Sequence, residues 1–179
     1  GWEAEAADFK GKLLHRIVVD AQTLRAGWEP AKIDIGTAWQ GLVGLMNEQK
    51  EKVDKASEGT EESRYAQRTM NDIRWNLEGT RKIYALFSPW LRSKQGGVVI
   101  DEQINKGFAQ LQGVYDAVSG EAIPAPPPTW SAEAPTAADL ATPFGKLWSG
   151  VRGSVDPAQK ASIVAQMNEA SGLFGFPVL

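Results

Sequence analysis

Residues 60–90, TEESRYAQRTMNDIRWNLEGTRKIYALFSPW, constrain this chain more than any other stretch, because they hold one helical period over 31 residues with proline only at the far end. Ala66, Met70, Ile73, Leu77, Tyr84 and Phe87 recur at three-, four- and seven-residue steps, the spacing of one apolar stripe on a helix. Thr60, Glu61, Glu62 and Ser63 read as a helix start, since a hydroxyl accepts from a first-turn amide and carboxylates oppose the positive end of the dipole. Ser88-Pro89 reads as the stop. Beside the apolar stripe, Glu61, Tyr65, Arg68, Asp72 and Asn76 follow at helical steps. That ladder is either a solvated charged face or one wall of a polar site.

The flanking segments carry the same period. Phe9, Leu13, Ile17, Ala21 and Leu24 mark a first helix over 4–25, with His15 on the side of Val18, Val19 and Gln22. A second helix is expected over 37–56 and a fourth over 100–118, the latter striped by Ile104, Phe108, Leu111 and Tyr115. Residues 119–135 hold five prolines, including Pro126-Pro127-Pro128, and read as an ordered crossover packed through Ile123 and Trp130. Beyond it, Leu140, Phe144, Leu147 and Val151 form a further stripe, with Pro143 at the first helical position. Asp156-Pro157 reads as the restart of a last helix. No segment alternates as a strand does. The expected fold is all-α, an up-and-down bundle of five or six helices: four over 1–122, the crossover over 123–139, and closing helices over 140–179.

Composition narrows the chemistry. Net charge is −3, with no Lys/Arg cluster, so nucleic acid is not an expected partner. There is no cysteine, and a single histidine cannot supply a multi-imidazole zinc site or a nucleophile-elbow triad. No apolar run approaches the ~20 residues of a membrane span. The chain opens Gly1-Trp2-Glu3 without an initiator Met, which suggests a processed form.

The run Thr60-Glu61-Glu62-Ser63-Arg64-Tyr65, followed by Asp72, Asn76, Glu78 and Gly79, resembles the imelysin-like family, and within it the EfeO-type periplasmic iron-uptake branch. Glu29-Pro30-Ala31-Lys32 and the closing Leu173-Phe174-Gly175 are similar in kind. The family's H-x-x-E metal motif is absent, and Gln67, Thr69 and Ser63 stand where the family pattern has histidine and aspartates. The resemblance covers the second half of a family domain. It implies an exported, periplasmic or otherwise extracytoplasmic bundle that is not an enzyme. It further implies that iron or another hard cation is bound or carried by Glu61, Glu62, Asp72 and Glu78, with Arg64, Tyr65 and Asn76 in support. A companion polypeptide carrying the first half-domain, and a membrane-associated uptake partner, are the partners it implies. The competing expectation is a metal-free interaction subunit that pairs with another polypeptide.

Overall fold

A computed structural model describes residues 8–29, 33–63 and 65–178. Its contacts divide the chain into two compact units, Gly1–Ile33 and Asp34–Leu179. Among the described residues the first contains one helix, α1 (Phe9–Gly27), whose apolar residues are exposed along its length. Arg16 pairs with Asp20 one turn on, at 2.8 Å.

The second unit holds α2 (Ile35–Ser57), α3 (Thr69–Arg92), α4 (Gly97–Asp116), α5 (Ala137–Ala141), α6 (Pro143–Val155) and α7 (Ile163–Phe174). The fold is all-α, as the periodicity requires. Seven helices occur among the described residues rather than five or six, because Thr142 caps a new helix directly after the five-residue α5. α2 and α4 each pack against α3 on one side and against α6 and α7 on the other. The fourth position of the bundle is thus filled by two short helices in succession.

The apolar stripes meet in a single core. Trp39, Met46, Met70, Ile73, Leu77, Leu91, Ile104, Phe108, Leu111, Phe144 and Met167 are all buried. Trp39 stands edge-on to Phe87 and Phe174, and Tyr84 edge-on to Phe108, the geometry in which ring edge meets ring face. Two buried polar pairs cross the core. The Trp39 indole donates to Ser171 Oγ at 2.8 Å, and the Tyr115 hydroxyl to Gln49 Oε1 at 2.9 Å. The crossover packs inward through Ile123, and Trp130 lies edge-on to Phe144 and Trp148.

Four boundaries differ from the sequence reading. α3 begins at Thr69, not Thr60. Gln67 sits at φ 54, which breaks the helical path, and the Met70 amide is met by the Glu121 carbonyl from beyond α4. α3 also runs through Pro89 to Arg92. The missing proline amide costs one helical bond, but continuing buries Leu91 and brings Arg92 to Asp101. Gly96 takes a positive φ of 79 and Gly97 opens α4, three residues before the expected start; a Cβ on Gly97 would lie 1.9 Å from the Leu91 carbonyl oxygen. Asp156 follows α6 and holds the Ala158 amide at 3.1 Å, yet only a turn results, and Ser162 caps α7 instead.

Candidate functional site

The polar ladder does not form one helical face. Glu61 and Glu62 lie in the turn before α3, where the Thr69 hydroxyl donates to Glu61. Glu62 is held by Lys52 and by Lys55, the latter at 2.7 Å, and these hydrogen bonds keep its carboxyl below the usual range. The turn is thereby tied to α2. Asp72 is exposed in the first turn of α3, and Asn76 is half-buried one turn further. Glu78 is two turns from the helix start and accepts from Lys82 at 2.6 Å. Tyr65 is 94% exposed, and Arg64 lies outside the described residues.

Among the described residues no three His, Asp or Glu side chains gather into a group that could hold a metal ion. The structure therefore brings Glu61, Glu62 and Asp72 to the start of α3, while Glu78 stands apart with its own lysine. Their oxygen donors suit a hard cation in kind. They do not by themselves enclose one. His15 is exposed on α1.

Glu78 instead lines a groove of about 800 Å³ along α3 and α4. On the α3 wall stand Asn71, Arg74, Trp75, Arg81 and Lys82, and on the α4 wall Asn105 and Gln112. The Arg74 guanidinium donates to the carbonyls of Gly120, Tyr115 and Val118 at 2.7, 3.0 and 2.5 Å, closing the C-terminal end of α4. This satisfies acceptors a helix end leaves open, and it fixes a cation at the groove. Beneath the groove Asp101 is buried, accepting from the Tyr84 hydroxyl at 2.6 Å and from Arg92 at 2.8 Å. Burial pushes the Asp101 carboxyl up, but hydrogen bonds from Tyr84, Ser88 and Arg92 outweigh that and hold it below its ordinary value. Burial and the adjacent carboxylate raise the Tyr84 hydroxyl. Sequence reasoning missed this groove, although helical spacing alone places Arg74 and Arg81 on one face, two turns apart.

The sequence pattern of the imelysin family, peptidase M75, matches residues 7–145, well over half of the chain, and the chain belongs to that family. Among its relatives is an Efem/EfeO family lipoprotein of Staphylococcus haemolyticus (strain JCSC1435), 32% identical over 101 residues. Another is an Efem/EfeO family lipoprotein of Staphylococcus aureus (strain MSSA476), 33% identical over 98 residues. These alignments take in 56% and 55% of this chain and, in each case, 33% of the relative, so the chain spans about a third of the length of the curated relatives it matches. No solved structure matches. Among the described residues no helix is long and apolar enough to cross a membrane.

Proposed function

We propose that this chain is a non-catalytic, extracytoplasmic bundle serving iron uptake, with Glu61, Glu62, Asp72 and Glu78 offering oxygen donors to a hard cation such as Fe(III). The observation that carries this reading is the likeness to relatives named as EfeO-type lipoproteins. Their naming as lipoproteins rather than peptidases supports a binding role, and it supports a place outside the cytoplasm. Because the four carboxylates are dispersed, the rest of the ion's shell would come from water or from another segment. Thermal melts with Fe(III) supplied as its nitrilotriacetate complex test the reading, with Ca(II), Zn(II) and the chelator alone as controls. A ligand that binds only the folded chain raises stability by ~2.7 kcal/mol at a hundred times its dissociation constant. A ferric-specific rise, lost in the Glu61→Ala/Asp72→Ala variant, is expected. No rise, or an unchanged rise in that variant, refutes it.

A second reading has its own observation. Lys52 and Lys55 already neutralise Glu62, and Lys82 neutralises Glu78, so two of the four carboxylates are satisfied without any ion. That supports a metal-free interaction subunit that pairs with another polypeptide. Failure of the ferric melt favours this account.

A further inference from the structure

The outer face of α3 has a second order that its buried stripe hides. Trp75, Gly79, Lys82, Leu86 and Pro89 follow at steps of four, three, four and three residues. This is the seam spacing by which one helix receives another, side chains of the incoming helix seating between those of the first. The seam points to solvent: Trp75 is 67% and Leu86 78% exposed. At its middle, the space where a Gly79 Cβ would sit is open, with nothing within 4 Å. Such a hollow between two large apolar residues is the shape that accepts a knob.

The flank of the seam is net positive: Arg74, Arg81 and Lys82 line the groove with a single carboxylate, Glu78, which is paired with Lys82 at 2.6 Å. Arg74 and Arg81 stand in the groove beside it, two helical turns and about 10.5 Å apart along α3. Arg74 is held by three carbonyls and pairs with no carboxylate among the described residues. No ion pair or hydrogen bond among the described residues engages Arg81. The acidic groups at the groove and its rim are already committed: Glu78 to Lys82, Glu121 to Arg68 and Asn71, and Asp116 to Gln112. The groove follows α3 from Asn71 to Pro89, about 27 Å, which is the length of an 18-residue helix rather than of a small molecule.

We infer that the α3 seam and its groove dock an acidic amphipathic helix of another polypeptide. That helix carries apolar residues at heptad spacing, and carboxylates seven residues apart that reach Arg74 and Arg81. This goes beyond iron binding: of the four carboxylates offered to the cation only Glu78 lines the groove, where it is paired with Lys82, and the docking contacts are made by Trp75, Leu86, Arg74 and Arg81. Only complementary charge distinguishes this partner from any apolar helix, and the test rests on that.

The probe is a pair of synthetic helical peptides with leucine at the heptad seam. One has glutamates and the other lysines at the two flank positions. Calorimetric titration of the whole chain with each peptide is the assay. The glutamate peptide is expected to bind at least tenfold more tightly than the lysine peptide, and Arg81→Glu should reverse that order. Trp75→Ala/Leu86→Ala should weaken the glutamate peptide at least tenfold. All three side chains are exposed, so an unchanged melting temperature is expected and is checked in parallel. Absence of binding, or equal affinity for both peptides, overturns the inference. So does sedimentation showing that the chain self-associates through this seam in a Trp75-dependent way, which would make a second copy the occupant. Binding of citrate that depends on Arg81 while neither peptide binds overturns it as well, in favour of a small-anion site.

Discussion

Replacing Asp101 by alanine removes one of the two buried carboxylates among the described residues, the other being Asp139. The residue is 3% exposed, and the two partners that reach its carboxylate at 2.6 and 2.8 Å, Tyr84 and Arg92, are unlike. Tyr84, 2% exposed, has no access to water for its hydroxyl once the acceptor is gone. The Arg92 side chain is 45% exposed and returns to solvent. The cost is therefore set by the orphaned hydroxyl and one charge-assisted bond, about 2–3 kcal/mol. At about 2–4 °C per kcal/mol for a domain of this size, the melting temperature should fall by roughly 4–12 °C at pH 7. Tyr84→Phe alone removes a donor but leaves Asp101 with Arg92, and should cost about 1 kcal/mol. In the double variant no hydroxyl is left stranded, so the loss should be smaller than the sum of the singles by about 1 kcal/mol or more. The carboxyl titrates lower in the folded chain than in the unfolded one, so its stabilisation is complete above the ordinary carboxylate pKa. It is lost as pH falls through the depressed folded value, below about pH 4. Calorimetric melts of the four proteins at pH 7 and pH 3 read both effects, and the wild-type excess over Asp101→Ala should shrink at pH 3. Strict additivity, or a cost below about 0.5 kcal/mol for Asp101→Ala, refutes the argument.

Gly97→Ala should destabilise by about 3 kcal/mol or more, since the new methyl would meet the Leu91 carbonyl at 1.9 Å and backbone has to move; denaturant midpoints against a Gly113→Ala control, where the space is open, measure it. Gln49→Leu strands the buried Tyr115 hydroxyl and should cost about 1–3 kcal/mol, with much of the loss recovered by adding Tyr115→Phe. Glu62→Gln breaks two partly exposed ion pairs and should lower stability by less than about 1 kcal/mol, an effect that shrinks with added salt in thermal melts.

Much of the fold is legible because it rests on periodicity. The stripes through Met70, Ile73, Leu77, Ile104, Phe108 and Leu111 are set locally, and each of these residues is buried. What sequence reasoning misplaces are the ends, where the deciding contact is distant. The proline rule stops α3 at Ser88 because it weighs one lost amide, whereas the reward for continuing, the Arg92–Asp101 pair, belongs to another helix. Likewise the start of α3 carries no side-chain cap of its own, because its Met70 amide is met by a carbonyl 51 residues away. Asp156 is a true local cap of the wrong thing: it closes a turn, and the helix waits for Ser162.

The candidate site divides along the same line. Helical spacing predicts that Glu61 and Asp72 share a face, but spacing applies only inside a helix, and the bend at Gln67 lies between them. Nor does it register that Lys52 and Lys55, on α2, stand over Glu62. Charge neutralisation of this kind is tertiary, and a sequence pattern that counts carboxylates overstates the negative field an ion would meet. The α3 seam is the opposite case. Trp75, Gly79, Lys82, Leu86 and Pro89 all lie within one helix, so their order survives folding and was readable from spacing alone. It was hidden by the stronger apolar stripe on the reverse face, which buries Ile73, Leu77, Tyr84 and Phe87 and so accounts for the helix without explaining its outer side. A helix with two ordered faces, one of them spent on the core, has the second left for a partner.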